Sequence, residues 1–243
     1  MLSSIRKNPV ESRRSHAVGL RAQTHGRKRM TPQDRERHIV QGAIEFFSEH
    51  GLNGQLRELA QALGITHTLL YHYFPTKQAL IDRVYEDLFA GRWRPEWDTL
   101  LDDESLNAPE KLVRFYVQYA SVILEREWVR VFVYSGLSDR SITDRYFDLL
   151  KTQLFPKLLR VTRQWKGLDL SPAPSTRESE AVLGLHGSIF YMGIRRFVYG
   201  MESAMHQDNL EVLVTDRVRG YLNSWPTLNS TFNAMPNLLQ EPL

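Results

Sequence analysis

"GITHTLLYHYFPTKQAL", residues Gly64–Leu80, decides how the chain is read. It opens on glycine, which accepts a positive φ at no steric cost, and Pro75 ends the helical pattern between them. Leu70 and Phe74 are four residues apart and turn inward together. Thr66, His67, Thr68, Tyr71 and His72 are left on the outside, and all five can hydrogen-bond. No Asp or Glu occurs from Gly64 to Ile81. A solvated helix face ordinarily carries Glu and Lys. A carboxylate on this face would repel phosphate, so its absence points to a polyanionic partner.

The residues upstream supply the other half of a motif. Leu56, Leu59, Ala60 and Leu63 share one face of a short helix, which Gly64 breaks. Two short helices that cross near a right angle need a small residue at the close approach, and Ala60 is placed for it. They need a tolerant residue at the turn, and Gly64 is four positions on. Leu59, Leu63, Ile65 and Leu70 are spaced to pin the pair, with Tyr73 half-buried. This is the layout of a helix-turn-helix, whose second helix enters the major groove of DNA. An ordinary surface hairpin with aromatic filler is the alternative, and it does not require the full set of spacings.

Outward from the motif the periodicity stays helical. Thr31-Pro32-Gln33-Asp34 starts a first helix that Gly51 ends. Thr76 caps a fourth, with Leu80, Ile81, Val84, Tyr85, Leu88 and Phe89 as its stripe. A loop is expected over Arg94–Asn107. Further helices are expected over Pro109–Arg126, Glu127–Leu137, Ser141–Lys166 with a kink at Pro156, Thr176–Tyr199 and Asp208–Ser224, with a linker at Gly167–Thr176. No strand pattern or internal repeat is present, so the expected fold class is all-α. The expected domains are a basic, disordered tail at 1–30, a DNA-binding head at 31–93, a helical body at 94–225 and a frayed tail at 226–243.

Composition narrows the setting. The 243 residues contain no cysteine, which excludes disulfides, thiolate metal sites and a cysteine nucleophile, and suits a reducing compartment. No apolar run is long enough to span a bilayer, so no membrane partner is expected and a cytoplasmic location is. Eight of the 31 bases and one of the 28 acids lie in residues 1–30, leaving 23 bases against 27 acids elsewhere. The basic balance is therefore a property of the tail. That tail reads as a nucleic-acid-binding arm, as an organellar transit segment, or as untranslated sequence ahead of a start at Met30.

Residues 31–89 resemble the N-terminal domain of the TetR family of bacterial transcriptional regulators, through "AIEFFSEHG", "LRELAQALGIT" and "LLYHYFPTKQALI". The resemblance is strong over about a quarter of the chain and extends to the rest only as an all-helical layout. It implies that Thr66, His67 and Thr68 approach base edges, that Tyr71 and Tyr73 offer hydroxyls to phosphates, and that Lys77 contacts phosphate as a point charge. His72 is placed for either kind of contact, and Arg57 for the opposite strand. One departure is "GLNGQLRELA", one residue short of the usual spacing, which leaves Asn53 or Gly54 to cap the second helix. Leu69 is another; it would touch a thymine methyl or pack inward.

The same resemblance implies a body that binds a small-molecule effector and dimerises through its last two helices. Candidate pocket residues are Phe115, Tyr119, Trp128, Phe132, Tyr146, Phe190, Tyr191 and Arg195, with Arg114 and Arg130 as other anchors for an anion. Candidate dimer residues are Gly184, Gly187, Ser188 and Gly193, with the stripe Leu210, Leu213, Val214, Val218 and Leu222; the alternative is close packing within one chain. His186 is expected as a core or interface histidine, with a ligand contact as the alternative. No catalytic motif, metal-ligand spacing or cofactor fingerprint is present. The expected function is a ligand-responsive, sequence-specific DNA-binding regulator, a repressor acting as a homodimer on a pseudo-palindromic site. The alternatives are a constitutive DNA-binding protein, or a small-molecule-binding or enzymatic helical body with a vestigial head.

Overall fold

A computed structural model describes residues 30–201 and 207–225. The expectations for the basic tail and for the C-terminal tail lie outside the described residues. Those residues form eleven α-helices, with no strand among them. The head comprises α1 (Pro32–His50), α2 (Leu56–Ala62), α3 (His67–Tyr73) and α4 (Lys77–Leu88). The body comprises α5 (Pro95–Asp102), α6 (Ala108–Ile123), α7 (Arg126–Gly136), α8 (Ser141–Leu149), α9 (Phe155–Trp165), α10 (Thr176–Phe197) and α11 (Gln207–Asn223).

The head's caps are those its sequence calls for. Thr31, Thr66 and Thr76 each accept a hydrogen bond from the backbone N–H three residues on, at 3.0–3.1 Å. Gly64 has φ +63°. It closes α2 in a Schellman turn, with the Gly64 N–H donating to the Gln61 carbonyl and the Ile65 N–H to the Ala60 carbonyl, both at 3.0 Å. Leu59, Ala60, Leu70 and Phe74 are buried beneath that turn together with Ile39, Phe47 and Leu80.

Two expectations about the body's helices are corrected. Residues 95–102 are helical rather than loop: Pro95 occupies the first turn, Glu96 and Asp98 face its positive end, and Trp97 and Leu101 are buried. The expected kink at Pro156 is a π-turn at Leu150–Leu154 between α8 and α9. Pro156 has no N–H to donate to Thr152 and its ring would crowd that carbonyl, so the chain widens by one residue ahead of it.

Head and body share one core. Phe89, at the end of α4, meets Trp128 at 4.8 Å and Tyr146 at 5.8 Å between ring centroids. Polar contacts run along the same seam. Arg130 donates to the Ser48 carbonyl at 2.6 Å, and Arg145 donates to Asp82 at 2.9 Å and Glu86 at 3.2 Å. The Arg145 guanidinium lies 3.7 Å from the centre of the Tyr85 ring. Within the body, Arg163 and Glu178 form a buried two-pronged pair at 2.7 and 2.8 Å that ties α9 to the start of α10. The Arg163 guanidinium, helped by Ser175, holds the Glu178 carboxyl down at about 2.

The buried and exposed sides of α3 should separate in stability measurements. Leu70→Ala should lower the unfolding free energy by about 2–5 kcal/mol, whereas Thr68→Ala, on the exposed side, should change it by less than about 0.5 kcal/mol. Chemical denaturation of the two variants checks this; equal costs would mean that the assigned faces are wrong.

Candidate nucleic-acid interface

The Gly64 turn and the Thr66 cap fix the direction in which α3 leaves α2. With Leu70 and Phe74 held in the core, the rotation of α3 about its axis is also fixed. Thr66, His67, Thr68, Tyr71 and His72 are all exposed as a consequence, while Leu69 and Tyr73 are half-buried. His67 and Tyr71, one helical turn apart, meet edge to face at 4.7 Å. His72 and Tyr73 meet the same way at 5.4 Å. Thr66 uses its oxygen as an acceptor for the Leu69 N–H, which leaves its O–H as a donor. The outcome is a cluster of hydroxyl and imidazole groups on a helix of seven residues, with no carboxylate on the face.

Lys77 stands at the first position of α4, half-buried; burial pulls its pKa down and the charge of Asp139 opposes that. Arg57 is exposed on α2. The cap of α2 is Gln55 rather than Asn53 or Gly54, and its side chain makes no capping bond. Gly54 is held elsewhere, since a Cβ there would stand 2.5 Å from the Phe46 ring. Other basic residues of the head are already paired: Arg37 with Asp34, Arg83 with Glu36 and Asp87, and Arg92 with Glu125. Arg35, Arg57 and Lys77 have no salt bridge among the described residues.

In the body, the aromatic candidates come together but enclose almost no space. Phe115, Tyr119, Trp128, Phe132 and Tyr146 are buried and packed ring on ring, with Phe190 at their edge. The void beside Tyr119, Trp128 and Tyr146 is about 10 Å³. Stacked and edge-to-face contacts fill the region, so these residues are core here rather than the lining of a pocket. Arg195 lies apart from them on α10, beside the exposed Tyr191. Arg114 is paired with Glu110, and Arg130 is committed to the seam. His186 is a core histidine; burial pushes its pKa down to about 4, so the ring is neutral.

The dimer candidates divide. Gly184 and Gly187 are exposed, a Cβ on either would meet nothing within 4 Å, and Ser188 and Leu210 are half-exposed. Val214, Val218 and Leu222 are corrected: they are buried within the chain, because α11 packs along α6 and α10 and needs its own apolar stripe for that contact. Gly193 also belongs to the interior, where a Cβ would stand 2.8 Å from Val129.

The structure adds an open groove of about 650 Å³ that sequence reasoning did not find. Asp144, Phe147, Asp148, Lys151, Phe155, Ser179, Glu180 and Leu183 line it. These residues belong to α8, the π-turn, the first residue of α9 and the start of α10. A sequence signal existed in the carboxylates at Asp144 and Asp148, which lie one turn apart, but the opposite wall is some thirty residues away in the chain.

Residues 39–84 match the family described as bacterial regulatory proteins, tetR family. An HTH-type transcriptional regulator of Mycobacterium tuberculosis is 26% identical over 151 residues, covering 60% of this chain and 64% of that protein. The HTH-type transcriptional repressor KstR2 of Mycolicibacterium smegmatis is 26% identical over 126 residues, covering 50% of this chain and 58% of its own length. The chain therefore spans less than two thirds of the length of these relatives. Among solved structures, a TetR-like regulator from Rhodococcus sp. RHA1 superposes with a TM-score of 0.60 at 16% identity, over 81% of this chain and all of that one. The fatty acid degradation regulator FadR from Bacillus halodurans superposes with a TM-score of 0.59 at 18% identity, over 81% and 98%. The two superpositions establish a common fold.

If the exposed side of α3 contacts DNA, its residues should separate by role. His67→Ala should cost about 1–3 kcal/mol and relax preference at one base pair, whereas Tyr71→Phe should weaken all sequences alike. Competition titrations against a panel of single-base variants distinguish the two; a uniform loss for His67→Ala would assign it to the backbone.

Proposed function

We propose, from the premise that the chain belongs to the TetR family of bacterial regulatory proteins, that it is a DNA-binding transcriptional repressor acting as a homodimer and released by a small-molecule effector. The observation that carries this reading is the outer side of α3: five exposed hydrogen-bonding residues, no carboxylate, and a rotation fixed by the buried Leu70. Thr66, His67 and Thr68 would read base edges; Tyr71, Tyr73, Lys77 and Arg57 would hold phosphates, with His72 serving either role.

Electrostatics sets how strong that grip is. Arg35, Arg57 and Lys77 are the head's uncommitted cations, and a dimer doubles them to six. Six neutralised phosphates correspond to a slope of about −5 in log K against log salt. A gel shift on the DNA upstream of the protein's own gene, at two salt concentrations, tests this. The expected result is binding that weakens steeply with salt; no salt-dependent binding would overturn the reading.

The dimer would form on the open side of α10 and α11, where Gly184 and Gly187 leave room for a helix and Tyr191, Leu210 and Val212 supply apolar contact. Gly187→Arg should convert the dimer to monomer in analytical ultracentrifugation while leaving helical content unchanged. A dimer that persists would place the interface elsewhere.

Control by an effector would pass through α4. The tilt of that helix sets the separation of the two recognition helices, and DNA fits one separation. Arg145 joins α8 to α4 through Asp82, Glu86 and Tyr85, so a displacement of α8 reaches the head directly. The effect is a shift between two dimer geometries, and an effector of that kind binds free protein more tightly than the DNA complex.

A further inference from the structure

We propose that the groove between α8, the π-turn and α10 is the effector site, and that it takes an organic cation with an aromatic or apolar body. The inference rests on the regulatory reading above and gives it a place and a ligand chemistry.

The groove's charge is lopsided. Asp144, Asp148 and Glu180 face it with Lys151 as the one base. Asp144 is shared with Arg140 at 3.7 Å, but Asp148 and Glu180 have no salt bridge among the described residues. Two uncommitted carboxylates on opposite walls hold an ammonium well and repel a carboxylate or phosphate. Between them lie Phe147, Phe155 and Leu183, which give the apolar part of a ligand a surface, and cation–π attraction adds to it.

The floor supplies a second, independent sign. Phe155 separates the groove from a buried patch of polar atoms without partners. Its ring meets that of His186 at 5.6 Å, and His186 meets Tyr119 at 5.4 Å and Tyr116 at 6.4 Å. His186 Nδ1 and the Tyr116 hydroxyl are fully enclosed and have no hydrogen-bond partner among the described residues. Such groups are costly to bury unsatisfied, and polar atoms of a ligand reaching them would remove that cost. His186 is neutral there, so it would meet a hydroxyl, carbonyl or ring nitrogen and not a second charge. Phe155 directly follows the π-turn, and such turns inside helices are frequent at functional sites. A register shift would swing Phe155 aside and open the polar patch to the groove.

The site is also wired to the head. Asp144 and Asp148 flank Arg145 on α8, and Arg145 is the residue that grips α4. A ligand drawing α8 toward α10 would pull on that grip.

The test uses three molecules with one body and different heads: 4-phenylbutylamine, 4-phenylbutanol and 4-phenylbutyrate, titrated calorimetrically into the full chain. The amine is expected to bind about tenfold more tightly than the alcohol, a difference of about 1.4 kcal/mol, and the carboxylate not at all. Asp148→Asn and Glu180→Gln, both at exposed positions, should each erode the amine's advantage and leave the alcohol unchanged. Binding of the carboxylate as tight as that of the amine, unchanged selectivity in both variants, or no heat from any of the three at millimolar concentration would overturn the proposal. The titration needs no DNA, so its failure removes the site and leaves the DNA-reading face standing. Loss of DNA binding in the gel shift removes the regulatory reading and leaves the amine site standing.

Discussion

The crossing of two seven-residue helices at Gly64 is the constraint on which the rest of the molecule depends. Helices this short are not stable alone, because the cost of the first turn is spread over too few hydrogen bonds. α2 and α3 exist because Leu59, Ala60, Leu70 and Phe74 are buried and because Gly64 takes a φ of +63° that few side chains accept. Those two facts orient α3, and its orientation determines which residues remain outside. Thr66, His67, Thr68, Tyr71 and His72 are presented by default, so binding chemistry could accumulate there without disturbing the core.

The head is not an independent module laid on the body. Phe89 places an aromatic ring of the head among the aromatics of α7 and α8, and Arg130 and Arg145 add polar ties on either side of it. Packed interiors are stiff and respond to displacement by changing arrangement rather than by compressing. A seam of this kind lets a change at α8 reach α4. It also accounts for the closed aromatic cluster in the body, where rings that a cavity would have exposed are used to join the two halves.

The head was legible in the sequence almost residue by residue because its requirements are local. Caps lie three residues from the groups they satisfy, the Schellman turn needs its glycine at one position, and the apolar pins repeat at helical spacing. The exception in the head was the cap of α2, which falls at Gln55 rather than at Asn53 or Gly54. In the body the sequence was less informative for identifiable reasons. A helix as short as α5 offers only Trp97 and Leu101 as a pattern, too little to stand out from a loop. The stripe on α11 reads identically whether its partner is a helix of the same chain or a second copy, and Val214 and Val218 proved to be buried within the chain, where α11 packs on α6 and α10. Aromatic residues such as Tyr119 and Trp128 have the same composition in a core as around a cavity, and only the packing distinguishes them. The groove could not be read because its walls are far apart in the chain.

The account turns on one claim: two copies of the α3 face read a single DNA site together. Selection of bound sequences from a random DNA pool by the full chain tests it most directly. The account predicts an enriched pseudo-palindrome whose half-sites are separated by a whole number of helical turns, about 10 base pairs each. Recovery of no common sequence, or of a single unpaired half-site, would contradict it.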